Sequence, residues 1–381
     1  MGPVVLFLDR VGMGMGEGML FPAQQAFSGF WIPEGERAFL VILMTSAQDL
    51  GSVFANLVTP HLLEAGVWWA FSAWGLLAVL WLAVFAAVGA SAPEVHQRCV
   101  QTGEAAWIQQ HRGAAHFEVA RQRREALCPM RLLRQPCVWG IFAGSIGVNY
   151  LWYVMISWMP TFFRGRFDID LAASPVVLCV PYLASWLGSI LFARVSDRLV
   201  ARGMKTSRVR KLMQITGASL NAMLLQFAAR AESMEGAAVW LSLAGFLGRA
   251  QSSGYWVNMV DVCPETAGVL LGFSNTFGTI PGILGQPITQ AILSSSGGAS
   301  SDAAWSAAFG IGGAIAVVAA AVFAALGDDA SIEDASSSAG ATSGSSAPAD
   351  ESASIECTGS ALPGSMAQAG GPRLPGTSFS V

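Results

Sequence analysis

The stretch VWWAFSAWGLLAVLWLAVFAAVGA, residues 67–90, contains no charged side chain and decides the fold class. A helix that crosses the hydrocarbon core of a bilayer needs about 20 mostly apolar residues, and this run is long enough. Similar runs recur along the chain, which is 53% hydrophobic and only 12% charged. Because soluble chains carry about 25% charged residues, the sequence predicts an all-α polytopic membrane protein embedded in a lipid bilayer.

Nine stretches are apolar and long enough to be transmembrane helices. They lie near residues 4–27, 38–63, 67–90, 137–162, 173–193, 212–229, 236–257, 267–293 and 304–326. Basic residues are concentrated in two polar segments, 91–136 and 193–211, which the positive-inside rule places on the cytoplasmic side or its equivalent. Two spans separate these segments, so the chain returns to the same side between them.

The first span contains RVGMGMGEGMLFPA, residues 10–23, in which two charges lie among alternate glycines. On a helix, Arg10, Gly14 and Glu17 share one face, with the two charges about 10 Å apart along the axis. The small residues predict close approach of a neighbouring helix, and Pro22 predicts a bend or an end. Charges at membrane depth face a bundle interior or a water-filled cavity. Two interpretations follow: an ion pair that locks helices together, or a substrate or ion pathway in which Glu17 carries a proton or cation and Arg10 is structural.

Other polar residues inside apolar spans are candidates for a substrate cavity. Arg249 lies within the seventh span, so it either reaches toward the interface or binds an anion. Five further candidates are amides or amphipathic aromatic residues, namely Asn149, Tyr150, Trp152, Asn258 and Asn275. These side chains either form interhelical hydrogen bonds or line one cavity together.

The eighth span, GVLLGFSNTFGTIPGILGQPIT at residues 268–289, is rich in glycine and proline. Such a segment is a poor rigid helix. It predicts either a broken helix of the kind found in transporters that alternate access or a kinked packing helix.

Several function classes are not indicated. The sequence has no H-E-x-x-H or G-x-S-x-G motif, and its lysines, Lys205 and Lys211, lie in one polar segment, so it does not predict an enzyme. The six cysteines form no C-x-x-C pair, which argues against a metal site, and no cofactor is indicated. No basic-aromatic module predicts binding to nucleic acid.

Several motifs resemble one transporter family. RVGMGMG at 10–16 resembles the R-x-x-x-G-x-G signature of the fourth helix of major facilitator transporters, and ARVSDRLVARG at 193–203 resembles their loop between helices eight and nine. More narrowly, the chain resembles the anion:cation symporter family, which includes vesicular glutamate, sialin-like and sodium–phosphate transporters, and especially its plant and algal plastid phosphate or ascorbate branch. The segments that carry this narrower resemblance are GEGMLFPA (16–23), FWIPEGER (30–37), SWMPTFF (157–163), VPYL (180–183), VRK (209–211) and NMVDVCPETAGVLLGFSNTFGTIPG (258–282).

The resemblance implies twelve helices in two six-helix bundles with a substrate cavity between them. The first span matches the family's fourth helix, so nine of the twelve helices are expected here and the first three are expected to be missing. Residues 1–91 would then be the last three helices of the N-terminal bundle and 137–326 the C-terminal six-helix bundle. Residues 92–136 would form a cytoplasmic central loop. Residues 327–381, rich in Ser, Ala, Gly and Pro, would be a disordered tail.

The resemblance also implies roles for individual residues. Glu17 matches the family's fourth-helix glutamate, which is linked to proton coupling, and Asn149 matches an asparagine of relatives. Val148 falls where glutamate transporters carry an arginine, so glutamate is not indicated. Asp197, Arg198 and Asp261 are assigned to a conformational-switch loop. Arg249 replaces a small or apolar residue.

The sequence thus predicts a secondary active transporter of small anions, either inorganic phosphate or organic anions, that works by alternating access and is coupled to H+ or Na+. The alternative is a non-transporting membrane scaffold or a truncated relic of such a transporter. The protein is expected to be an integral multi-pass membrane protein, and the branch resemblance favours a plastid membrane.

Overall fold

The structure, a computed structural model, describes residues 3–32, 34–90, 92–93, 100–111, 132–168, 175–263 and 267–327. These residues belong to one compact unit, Met1–Ser337. Their regular secondary structure is helical throughout, as predicted. The predicted tail after residue 327 and much of the predicted central loop, including residues 112–131, lie outside the described residues.

The helices are numbered here in chain order. The first five are α1 (Pro3–Glu17), α2 (Leu20–Trp31), α3 (Glu34–Ala65), α4 (Val67–Val88) and α5 (Thr102–His111). The remaining seven are α6 (Pro136–Phe167), α7 (Pro175–Ala201), α8 (Thr206–Ala229), α9 (Met234–Gly248), α10 (Tyr255–Val262), α11 (Ala267–Ser295) and α12 (Asp302–Leu326).

Six of the described helices are long and apolar enough to cross a membrane, namely most of α3, all of α4, α6, α11 and α12, and α7 from Val176. The other three predicted spans are also helical but differ in character. The first is divided between α1 and α2, and the seventh between α9 and α10. The sixth span lies in α8, where Gln214 and Gln226 make interhelical hydrogen bonds to Gln251 and Ser306. These polar side chains lower the hydropathy of α8 but suit a helix inside a bundle.

The division of the first span follows from Pro22. A proline inside a helix removes one backbone hydrogen bond and clashes with the carbonyl four residues earlier, which belongs to Gly18 here. The helix accordingly ends at Glu17 and restarts at Leu20, with Pro22 in the first turn of α2. The break predicted from Pro22 is present, four residues before the proline itself.

The best-packed part of the molecule is formed by α6, α7, α8, α9, α11 and α12. Helix α6 packs on both α11 and α12, and a chain of contacts continues from α12 through α8 and α9 to α7. Two helices of the preceding part join this bundle, because α3 packs on α7 and α2 packs on α11. By contrast, α4 contacts α3 through residues in its first half, such as Trp74, and leaves nearly every side chain uncovered.

The eighth predicted span is one continuous helix, α11, despite Pro281 and Pro287. Its glycines lie against α6, so that a Cβ atom on Gly278 would approach Asn149 to 2.7 Å and one on Gly282 would approach Tyr153 to 2.8 Å. Small residues of this kind allow two helix backbones to come close. Of the two interpretations of this span, the structure corresponds to the packing helix.

Candidate functional site

A cavity of about 100 Å³ lies where α6, α7, α8 and α9 converge with the 3₁₀ turn Arg249–Ser253. Valine, leucine, methionine and alanine side chains form much of its wall, and Trp152 adds an aromatic surface. A mainly apolar wall with a few polar groups is the usual composition of a small-molecule site. The polar groups of this wall are Tyr182, Ser185, Asn221, Arg249, Gln251 and Ser252.

Arg249 lies at the cavity because the seventh span is interrupted there. Helix α9 ends at Gly248, and the 3₁₀ turn carries the chain to α10. A Cβ atom on Gly248 would collide with the side chain of Asn221, so glycine permits this close approach to α8. A stretch of 3₁₀ helix within a longer helical segment commonly marks a functional hinge. A broken helix was one of the two interpretations of the eighth span, whereas the structure has its break in the seventh.

The guanidinium of Arg249 has two partners on different helices. Its central carbon lies 5.0 Å from the centre of the Trp152 ring, a cation–π contact. Its Nη2 donates a hydrogen bond to Oδ1 of Asp49, with which it forms an ion pair. The side chain of Arg249 retains 22% of its exposure, whereas that of Asp49 retains none. The pair joins α3 to the 3₁₀ turn, and its arginine faces the cavity.

Asp49 is incompletely satisfied. Its Oδ2 is buried and has no hydrogen-bond partner among the described residues. Burying a carboxylate costs several kcal/mol, which an ion pair offsets only when the remaining lone pairs are also satisfied. The Asp49–Arg249 pair therefore contributes little net stability, although removal of either partner would leave the other charge uncompensated.

The cavity brings together two of the predicted candidates, Trp152 and Arg249. On α6, the lining residues are Val148, Leu151, Trp152, Met155 and Met159, which share one helical face. Asn149 and Tyr150 point elsewhere: Asn149 donates to the carbonyl of Ser145 at 2.9 Å, and Tyr150 is buried. Asn258, buried in α10, and Asn275, half-buried in α11, do not line the cavity either.

Arg10 and Glu17 lie in a different setting. Both are exposed on α1, and the one hydrogen bond recorded for Arg10 goes to the sulfur of Met13 at 3.6 Å. The space beside Gly12, Gly14 and Gly16 is open, so the predicted close helix contact is not made within the described part of the chain. The structure brings neither charge to the cavity.

The residues assigned to the switch loop divide into two groups. Asp197 and Arg198 are exposed on α7. Asp261 accepts hydrogen bonds from Nε and Nη2 of Arg210 at 2.7 and 3.4 Å, and Arg210 Nη1 also donates to Ser196 Oγ at 2.7 Å. This buried arginine, in the VRK motif, thus ties α7, α8 and α10 together at the end of the bundle that carries the basic segment.

Several residues of the site, one paired with Arg249 and others in the cavity wall, were not predicted from the sequence. Asp49 was missed although it is an acidic residue inside an apolar run, the same signal that drew attention to Glu17. Tyr182 lies in VPYL and Ser185 one helical turn later, on one face of α7. Asn221 and Gln251 are single amides in apolar spans, and amides of this kind are usually read as interhelical hydrogen bonds.

The helices are long and apolar, and they pack around a cavity whose wall carries a guanidinium. These features define the class of polytopic helical membrane proteins with an interior site for a small solute. The sequence profile of the Major Facilitator Superfamily matches residues 2–286. The chain therefore belongs to the Major Facilitator Superfamily, as its motifs predict, and is an integral membrane protein with several spans.

Its relatives include proteins named as anion transporters, as a phosphate transport protein and as sialin. Probable anion transporter 6 of Oryza sativa subsp. japonica is 28% identical over 76% of this chain and 67% of the relative. Sodium-dependent phosphate transport protein 1, chloroplastic, of Arabidopsis thaliana is 28% identical over 77% of this chain and 56% of the relative. Sialin of Ovis aries is 28% identical over 73% of this chain and 56% of the relative.

These relatives match the anion:cation symporter family, so the resemblance predicted from the motifs is confirmed. These relatives are transporters and not enzymes, so the prediction that the chain is not an enzyme is confirmed. The chain spans between 53% and 67% of the length of the curated relatives that it matches.

Proposed function

We propose that this protein is a secondary active transporter of small anions that works by alternating access. The observation that carries the proposal is the position of Arg249 in the wall of the cavity, where it is the one ionisable cation among the lining residues. The names of the relatives, which include anion and sodium-dependent phosphate transporters, support the same substrate class. Nine transmembrane spans in a three-plus-six arrangement, 1–91 and 137–326, remain the proposed organisation.

The cavity offers each kind of contact that anion binding requires. Arg249 supplies a permanent positive charge and planar donors that match carboxylate or phosphate oxygens. The amides of Asn221 and Gln251 and the hydroxyl of Ser252 add neutral donors around it. Because Arg249 lies in the 3₁₀ turn between α9 and α10, an anion bound there would contact a natural hinge of the bundle.

Uptake into proteoliposomes tests the proposal. The purified full chain would be reconstituted and supplied with labelled phosphate, ascorbate or benzoate under a proton or sodium gradient. We expect uptake of at least one anion by the unchanged protein, and a loss of about tenfold or more in the Arg249→Gln variant, because a charge-assisted contact contributes about 1.5–3 kcal/mol.

The matched control is Arg230→Gln, which removes an exposed arginine whose Nη2 bonds to Ser306 Oγ at 3.3 Å, far from the cavity lining. Uptake should be retained in this control. Anion binding without uptake would favour the alternative, a non-transporting scaffold or relic, and equal uptake by both arginine variants would remove Arg249 from the site.

Coupling is proposed to involve Glu17, which matches the family's coupling glutamate. We expect Glu17→Gln to abolish gradient-driven uptake while leaving anion exchange intact, because a neutral amide cannot gain and lose a proton or attract a cation. Glu64→Gln, at an exposed glutamate in the last turn of α3, should change neither. Gradient-driven uptake at the normal rate in Glu17→Gln would exclude Glu17 from coupling. Arg10 is proposed to be structural.

The membrane is proposed to belong to a plastid. The support is the naming of several relatives as chloroplastic, among them probable anion transporter 4 of Arabidopsis thaliana. A fluorescent fusion of the full-length protein, followed in photosynthetic cells with a plastid marker, would decide between plastid and other membranes.

A further inference from the structure

The partner of the cavity arginine is itself a carboxylate. Asp49 belongs to α3, outside the helices that line the cavity, and pairs with Nη2 of Arg249. The two residues are 200 positions apart in the chain, and the contact depends on the packing of α3 against α7. Arg249 is therefore bound to a carboxylate of the protein itself.

Arg249 keeps donors that Asp49 does not use. A guanidinium has five N–H donors, and one hydrogen bond, from Nη2 to Asp49, is recorded for Arg249 among the described residues. The side chain remains 22% exposed. A second carboxylate that enters the cavity can thus reach the same cation, and one positive charge cannot neutralise both carboxylates at once.

The ion pair that Asp49 forms with Arg249 is also weak for a carboxylate. Its Oδ2 is buried without a hydrogen bond in the described part of the structure, so it gains less from the pair than a fully satisfied carboxylate would gain. A solute carboxylate that uses two donors of Arg249 makes the stronger bidentate contact. The competition between Asp49 and a solute carboxylate for Arg249 therefore favours the solute once it is present.

The rest of the wall limits the kind of anion. Leu151, Met155, Leu225 and Leu241 face the cavity and offer no hydrogen bonds. Inorganic phosphate would direct some of its oxygens at these side chains, and an unsatisfied polar oxygen in an apolar site is costly. A monocarboxylate with an apolar body places one polar end at Arg249 and buries the remainder against carbon.

From this arrangement we propose that a solute carboxylate displaces Asp49 from Arg249, and that the cavity takes organic monocarboxylates with an apolar body rather than inorganic phosphate. The inference rests on the proposed transport of anions and specifies its substrate class. Asp49 acts as an internal counter-ion that holds the guanidinium in place between transport events. Because Asp49 belongs to α3, its release also uncouples α3 from the hinge at Arg249.

The test measures binding of benzoate, a flat monocarboxylate, to the purified full chain. We expect benzoate to raise the melting temperature of the unchanged protein, whereas benzamide, its neutral analogue, and inorganic phosphate do not. Removing the competitor in Asp49→Asn should tighten benzoate binding by about tenfold, since less of the arginine is then occupied in the empty state.

Asp49→Ser removes the same charge with a smaller side chain, so whichever of the two variants folds can be measured. Asp302→Asn is the matched control, because it removes the carboxylate of the Arg166–Asp302 ion pair at the junction of α6 and α12 without touching the cavity. It should leave benzoate affinity unchanged.

The outcomes separate this inference from the proposed function. Unchanged or weaker benzoate binding in a folded Asp49 variant would overturn the displacement. Uptake of phosphate with no binding of benzoate would overturn the monocarboxylate class while anion transport stood. Uptake of neither anion, nor of ascorbate, would count against the proposed function itself.

Discussion

Replacing Arg249 with methionine is expected to lower the free energy of unfolding by about 3–5 kcal/mol, as is typical when one partner of a buried ion pair is removed. The loss arises from Asp49, whose side chain is fully buried and would have to remain as an unpaired charge or take up a proton, and either costs free energy. Thermal unfolding in detergent micelles, followed by circular dichroism, would measure the change.

A double substitution distinguishes the destabilisation caused by the unpaired charge from that caused by lost packing. In the double variant Asp49→Leu/Arg249→Met, apolar side chains of similar size replace both charges, and such exchanges are often neutral or stabilising. We expect its melting temperature to return to within a few degrees of the unchanged protein. A double variant as unstable as Arg249→Met would show that the arginine stabilises the bundle through Trp152 and not through its pairing with Asp49.

The other large expected effect concerns a core residue that does not line the cavity. Trp305, at the start of α12, is fully buried against Phe162, with ring centres 5.1 Å apart, and its Nε1 donates to the carbonyl of Ala299 at 2.8 Å. Trp305→Ala should lower the free energy of unfolding by about 3–5 kcal/mol, because the surrounding rings cannot collapse into the space.

The matched control for Trp305 is Trp81→Ala in α4. Trp81 is 62% exposed and stacks on Phe85 of its own helix, so its loss should change the free energy of unfolding by about 0.5 kcal/mol. Equal effects of the two substitutions would contradict the placement of Trp305 in the packed core between α6 and α12.

The fold class could be predicted from the sequence because apolar run length is a local property. The interruption of the first span was also predictable, since the steric conflict between Pro22 and Gly18 is local. The interruption at Arg249 was not, because no proline marks it. The stronger local signal, the glycine and proline content of α11, instead reflects close packing against α6 at positions such as Gly278.

The site was predictable only in part. Trp152 and Arg249 stood out as polar or amphipathic groups in apolar spans, and both line the cavity. Asn149 and Tyr150 stood out equally, but a helix turns about 100° per residue, so they point about 100° and about 200° away from Val148, which lies at the middle of the lining face. Asp49 could be noticed as a charge, yet its partner is 200 residues away and only the packing of α3 on α7 brings them together.

The most direct test of the proposed anion site is uptake by the folded double variant Asp49→Leu/Arg249→Met in proteoliposomes. We expect its uptake of the transported anion to fall to the level of empty vesicles although its melting temperature is normal, because the cavity no longer holds a cation. Uptake at the rate of the unchanged protein would contradict the assignment of Arg249 and of this cavity to anion transport.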